Sequence, residues 1–390
     1  MLILAIILTI VLAALIGWYV GRRGYDQHSV SRISERLRRD YFLGLNHLIN
    51  EQPDKALDVF IKLLEVDSET VETHLALGSL FRRRGEVDRA IRVHQNLIAR
   101  PQLDKKYRVQ ALSELGQDYL KAGILGRAER LFSELAEVDG SDISSLKYLL
   151  HIYQQEKDWE KAIEVAKKLE SMNQESMYSA VAQYYCELAE QLYKHAKISQ
   201  AQQHLKRASA IDPKCVRASL LSGQIEMGAG NYKQAIKYYK QVREQDPMYL
   251  SEAVKPLVIC FSKLHDETAM VNYLKECLEK YPRVSIVLAL SEHMQEHYGD
   301  KAAIEFIAQQ ISKTPSLRGL NRLVEIYLNN SSAEVKQKLL LLKDLIENLL
   351  ENKPIYRCTH CGFSTKINHW LCPGCFSWNT VKPVQGLEAQ

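Results

Sequence analysis

Net charge of one sign is scarce here: 51 basic residues stand against 47 acidic ones, leaving +4. A chain so balanced is not a whole-surface nucleic-acid binder. Cysteine is also sparse, eight in 390 residues, and it is not spread as a disulfide scaffold would be. Four lie within residues 358–375, while Cys186, Cys215, Cys260 and Cys277 sit singly inside helical patterns. Such usage suits a reduced compartment, with the single thiols acting as small buried apolar groups. There is no P-loop, no GxGxxG between a strand and a helix, no HExxH and no GxSxG. The histidines, among them His47, His74 and His94, are scattered over helical segments without a shared carboxylate partner. They read as packing or surface positions, and the motif case for an enzyme is poor.

Long apolar runs are confined to one place. Met1 to Val20 carries no charge. As a helix it reaches across a hydrocarbon core of about 30 Å. A cleaved leader places basic residues before its apolar run, whereas here Arg22 and Arg23 follow it. Residues 1–20 are therefore expected to be an uncleaved transmembrane anchor, with Trp18 and Tyr19 at the interface. Residues 21–36 form a basic juxtamembrane segment, and basic flanks stay cytoplasmic, so the bulk of the chain should face the cytoplasm. The arginines either rest on anionic headgroups or set only topology and solubility.

Between the two ends one pattern recurs. Alanines in "DKALDVF", "DRAIRVH", "GRAERLF", "EKAIEVA", "SQAQQHL", "KQAIKYY", "ETAMVNY" and "KAAIEFI" are Ala56, Ala90, Ala128, Ala162, Ala201, Ala235, Ala269 and Ala303. Their separations are 34, 38, 34, 39, 34, 34 and 34. A period of 34 with a small residue in the second helix is the tetratricopeptide signature. Gly44, Gly78, Gly116 and Gly223 precede four of these alanines by twelve residues, where paired helices approach closely. Phe60, Phe132, Tyr239 and Tyr273 follow four of them by four residues. Pro213, Pro247 and Pro315 close units. The extra residues near "RPQLDKK" and "SMNQES" should lengthen the turns between repeats. Residues 37–351 are thus an all-α superhelical array, capped by the apolar helix of residues 333–350. Its first helices line a groove suited to peptides or partner helices. Leu75, Ser79, Arg82 and Arg83 are candidates there. Arg82, Arg83 and Arg84 are read alternatively as a solvated turn before Gly85.

The cysteine cluster reads Cys358-x2-Cys361, ten residues, Cys372-x2-Cys375. Each pair offers two thiolates from one turn, and two such turns complete a tetrahedron around one ion. Gly362, Pro373 and Gly374 suit tight sulfur-binding turns. Residues 355–381 form this module and 382–390 a tail. Phe363, Trp370, Phe376 and Trp378 are expected to wrap the site, and the short "ENKPIY" connection after the capping helix suggests that the module packs back on the last repeats through Trp370 or Trp378. Metal should supply most of the module's folding energy. With all four corners taken by sulfur, metal catalysis is disfavoured, and His360 and His369 are surface groups or groups behind the ligands. Iron and zinc both suit four thiolates. "CTHCG" and "CPGC" look like the knuckles of rubredoxin. However, the loop between them is shorter, and Phe376 replaces the glycine usual after the second knuckle. A structural or docking role is therefore preferred to electron transfer.

The order of anchor, array and cysteine module resembles the LapB (YciM) family of Gram-negative inner membranes. The resemblance is carried by "GWYVGRR", "RRDYFLGLNHLINEQPDKALDVF", "VETHLALGSLFRRRGEVDRAIRVHQNLI" and "HWLCPGC". It implies a non-enzymatic scaffold at the inner membrane that restrains lipopolysaccharide synthesis. Such proteins promote destruction of the deacetylase LpxC by the protease FtsH and contact pathway proteins such as LapC (PbgA). The family's metal site falls on Cys358, Cys361, Cys372 and Cys375. Homo-oligomerisation is compatible with such an array, and nucleic acid is not an expected partner. The readings weighed against this one are a general envelope adaptor, a rubredoxin-like redox protein, a zinc-ribbon nucleic-acid binder and a hydrolase.

Overall fold

A computed structural model describes residues 71–138, 142–173, 176–351, 353–384 and 386, with isolated positions between 17 and 59. The expected anchor with Trp18 and Tyr19, and the juxtamembrane segment with Arg22 and Arg23, lie outside the described residues. Among the described residues no helix is long and apolar enough to cross a membrane. The chain divides into two compact units, residues 1–156 and 157–390.

Described helices in the first unit are α1 (Val71–Arg83), α2 (Val87–Ile98), α3 (Lys105–Lys121), α4 (Leu125–Val138) and α5 (Ile143–Glu156). The second unit holds α6 (Trp159–Asn173), α7 (Tyr178–Lys194), α8 (Ile198–Ile211), α9 (Val216–Gly228) and α10 (Tyr232–Gln245). A 3₁₀ turn over Pro247–Tyr249 leads into α11 (Leu250–Lys263). There follow α12 (Glu267–Lys280), α13 (Val284–Tyr298), α14 (Asp300–Lys313), α15 (Leu317–Asn330) and α16 (Ala333–Glu351). Within each unit, helices that are neighbours in sequence pack against one another.

The periodic residues explain the pairing. All of the repeating alanines except Ala269 are fully buried. The ring four residues on lies over the glycine of the preceding helix. A Cβ at Gly116 would come within 2.7 Å of Phe132 Cζ, and one at Gly223 within 2.7 Å of the Tyr239 ring. His94 takes the ring position in its own repeat, where a Cβ at Gly78 would meet Nε2 at 2.3 Å. So His94 is a packing residue, and its Nδ1 lies 2.5 Å from the buried carboxylate of Asp118.

The turn inside each repeat needs left-handed backbone. Gly85, Gly123 and Gly230 supply it five residues before their alanines, but Lys157 and Ala196 hold the same place at φ 59°. The first insertion lengthens a turn, leaving residues 99–104 between α2 and α3. Both insertions lengthen the helix that follows, since α3 and α7 each run to 17 residues against 13 or 14 in α1, α5, α9 and α11. In α7 Val181, Tyr184, Tyr185 and Cys186 are all at least 93% covered.

The expected cap is the second member of a last pair, α15 with α16. It buries Ile346 but leaves Leu340, Leu341, Leu345 and Leu349 about half exposed. Beyond it three short strands, β1 (Tyr356–Cys358), β2 (Ser364–Thr365) and β3 (Val381–Pro383), form an antiparallel sheet in the order β2-β1-β3. β3 reaches two residues past the expected end of the module.

Gly116→Ala should lower stability by ~1–3 kcal/mol, because Phe132 has no room to yield in a packed pair. Gly126→Ala, on α4 with nothing within 4 Å of the new methyl group, should be neutral or stabilise by up to ~1 kcal/mol. Thermal unfolding of both variants checks this, and equal Tm shifts would contradict the close-approach account.

Candidate metal centre

The four cysteines come from two turns of the same construction. In the first, the Gly362 N–H donates to the Cys358 carbonyl at 3.0 Å. In the second, the Phe376 N–H donates to the Cys372 carbonyl at 2.9 Å. The closing residue is left-handed in both, φ 79° at Gly362 and φ 54° at Phe376. The departure at Phe376 therefore leaves the turn's shape intact, with the strain of a side chain in that region.

The sulfurs converge. Sγ of Cys358 and Cys375 are 3.7 Å apart, and those of Cys361 and Cys372 are 3.6 Å apart. All four lie within 4.8 Å of one another. A tetrahedron with metal–sulfur bonds of about 2.3 Å has edges of about 3.8 Å, so the cage fits one zinc or iron ion. Backbone N–H groups of His360 and Cys361 point at Cys358 Sγ, each at 3.4 Å.

Without metal the thiols titrate apart. Burial raises Cys358, but the Thr380 hydroxyl and these two N–H groups bring it down to about 7. Ser377 and His360 bring Cys375 down to about 5. The Phe363 N–H favours the Cys361 thiolate, yet burial and the neighbouring sulfurs push Cys361 up to about 12. His360 is in turn raised by its hydrogen bond to Cys375, so it stands behind the ligands, and His369 meets the Phe363 ring edge-on at 6.3 Å.

The aromatics do not all wrap the site. Phe363 packs against the module's small core of Tyr356, Cys358, Cys372 and Val381. Phe376 is half exposed. The two tryptophans turn outward onto the helices, since a module this small cannot enclose an indole. Trp378 meets Trp159 and Tyr184 edge-on at 6.0 and 5.7 Å. Trp370 lies 5.1 Å from the Tyr249 ring, with the Arg217 guanidinium 5.7 Å away on it. Arg217 is only 2% exposed and is held by Glu187 and Glu190, both at 2.9 Å. Polar contacts complete the seat. The Tyr249 hydroxyl donates to the Val381 carbonyl (2.8 Å), the Tyr356 hydroxyl donates to Glu252 (2.7 Å), and Lys382 pairs with Asp246 (2.6 Å).

The module thus sits on α6, α7, α9 and the start of α11, rather than on the last repeats, where the short connection after α16 suggests it would lie. The 19 residues of α16 span about 28 Å, enough to carry the chain past more than one repeat. The docking residues carry no periodic signal. Only the outward tryptophans hinted at them.

In the first unit, Glu72, Leu75, Ala76, Ser79, Leu80, Arg83, Gln110 and Glu114 line a groove of about 640 Å³. Leu75 is buried with Val71, Leu97 and Ala111 and forms its floor. Ser79 donates to Glu114 at 2.7 Å. Arg82, on the last turn of α1, is tied to Glu114 at 2.7 Å and Asp118 at 2.8 Å. Arg83 is exposed.

A family described as a rubredoxin metal binding domain matches residues 356–383, and tetratricopeptide families match residues 73–106 and 192–255. Lipopolysaccharide assembly protein B of Escherichia coli (strain K12) is 37% identical over 377 residues, 96% of this chain and 97% of that protein. The chain belongs to the lipopolysaccharide assembly protein B family. Its relative of that name in Haemophilus influenzae is 34% identical over 387 residues, 97% of each chain. Among solved structures, that of MamA protein covers 49% of this chain and 94% of its own at 20% identity, with a TM-score of 0.31.

Two outcomes follow from this geometry. Metal binding must displace the Cys361 proton, so acidification should release the ion, most steeply below pH 7 where Cys358 also takes up a proton. Elemental analysis after dialysis across pH 8 to 5 measures it, and metal content flat over that range would contradict the assignment. Trp378→Ala should keep the ion, because its ligands lie within the module, yet weaken docking by ~3–5 kcal/mol. Faster cleavage after Glu351 by a glutamate-specific protease, with unchanged metal content, is the expected result, and unchanged cleavage would contradict it.

Proposed function

We propose that this chain is an inner-membrane scaffold that restrains lipopolysaccharide synthesis. In this role it presents the deacetylase LpxC to the protease FtsH and meets LapC (PbgA)-type membrane proteins of the pathway. Membership of the lipopolysaccharide assembly protein B family carries the reading. The structure supports its physical side. Within the second unit, helices from four successive repeats with a metal module seated across them are a rigid surface for holding other proteins in a fixed relation. The groove over Leu75, Ser79 and Arg83 is a second such surface.

Residues 1–20 tether the chain in this reading, and the array faces the cytoplasm. Confining scaffold, protease and client to one membrane surface raises their effective concentration without any new contact. No bond is made or broken by the scaffold itself. The four-sulfur cage has no open position for water or substrate and so serves architecture.

Depleting the protein in its host should lengthen the lifetime of the deacetylase and raise the amount of lipopolysaccharide. Immunoblotting after a block of translation and quantitation of lipid A measure the two. If neither moves, the pathway assignment fails and a general envelope adaptor remains.

A further inference from the structure

Besides the four cysteines, one cluster among the described residues brings three metal-ligating side chains together: Glu267, His293 and His297. The sequence suggests no histidine pair sharing a carboxylate, because Glu267 lies 26 residues before His293. The fold closes that gap. His293 and His297 are one turn apart on α13 and share a face. Their rings stack with centroids 4.2 Å apart. Glu267 opens α12, which precedes α13, so the first turn of one helix meets the last turns of the other. Its Oε2 lies 2.8 Å from His297 Nε2 and 4.0 Å from His293 Nδ1.

The arrangement poses a charge problem. His297 Nδ1 lies 3.0 Å from the His293 carbonyl and donates to it. In neutral imidazole that leaves Nε2 with a lone pair facing a carboxylate oxygen, two acceptors that need a cation between them. A proton on His297 is one answer, but it puts an imidazolium against the stacked His293 ring. His293 is only 13% exposed, and its Nδ1 faces the same carboxylate oxygen.

We propose that Glu267, His293 and His297 form a second metal site, for a borderline divalent transition ion of the zinc type. Two imidazoles and one carboxylate are a donor set that zinc takes, leaving a fourth position for water. Bonds of about 2.0–2.2 Å place ligand atoms about 3.3–3.5 Å apart, and the distances of 2.8 and 4.0 Å straddle that value. Glu267 is 45% and His297 41% exposed, so both have freedom to adjust and the ion has a route in. Nitrogen donors select against calcium and magnesium. The ion ties α12 to α13, and hence one repeat to the next, far from the cysteine cage in sequence.

The test uses the full chain, free of any polyhistidine tag, with the cysteine centre already loaded. Co²⁺ is titrated in, followed by its visible absorption, and Zn²⁺ content is measured after equilibrium dialysis. The expected result is a second equivalent whose Co²⁺ spectrum lacks thiolate charge transfer. Glu267→Gln, which keeps the helix start intact, should weaken it at least tenfold. The double variant His293→Ala, His297→Ala should abolish it while the cysteine centre's ion stays. A wild-type chain that takes up no second equivalent overturns the proposal. So does a second equivalent that survives in the double variant.

Discussion

A helix of twelve to nineteen residues paired with one neighbour has more apolar surface than that neighbour can cover. Everything else in this chain follows from that shortage. Each pair must be covered by the next, which makes an array instead of a set of hairpins. Close pairing then depends on small residues facing rings. Gly116 under Phe132 and Gly223 under Tyr239 bring the helices to distances no other residue permits. Where the ring is replaced by His94, the same contact survives, and the imidazole takes a buried partner in Asp118. Asp118 also receives Arg82. A packing position has thereby become the start of a polar chain linking α1, α2 and α3.

The cysteine module has the opposite shortage, too little apolar area to fold at all. Two sources outside its own core make up the deficit. One is the ion, which binds four thiolates that would otherwise repel one another. The other is the array, which receives Trp370 and Trp378 and buries them against Tyr249, Trp159 and Tyr184. The two are coupled. A module that loses its ion no longer holds Trp370 and Trp378, two and three residues from the ligands Cys372 and Cys375, in a fixed frame. Metal occupancy therefore bears on whether those helix faces stay covered. Arg217 shows how far the array is adapted to this. It is among the largest fully buried side chains, and its charge is met on one side by Glu187 and Glu190 and on the other by the Trp370 ring.

Local regularities in the chain were legible and tertiary ones were not. The alanine period located the helices, and C-x2-C spacing located the ligands, because both are set by contacts within a few dozen residues. The seat of the module joins Tyr249 to Val381 and Asp246 to Lys382, more than 130 positions apart. Nothing periodic links such pairs. The same holds for Glu267 with His293 and His297. Phe376 looked like a defect in a metal-binding turn because glycine is usual there. The backbone shows the turn unchanged, with the side chain's strain borne by a structure that the metal bonds and the sheet hold from both sides.

Electrostatics divides the groove of the first unit in a way that charge counting conceals. Three consecutive arginines suggest a cationic patch, yet Arg82 is neutralised by Glu114 and Asp118 and turned into a strut between α1 and α3. Arg84 pairs with Glu86, leaving Arg83 as the member of the run that faces the groove. Opposite it stand Glu72, which accepts from the Tyr107 hydroxyl, and Glu114, already engaged by Ser79 and Arg82. A segment lying in this groove therefore meets mixed charge over an apolar floor of Leu75 and Leu80. Such a lining discriminates by the placement of charges and apolar groups rather than by net charge.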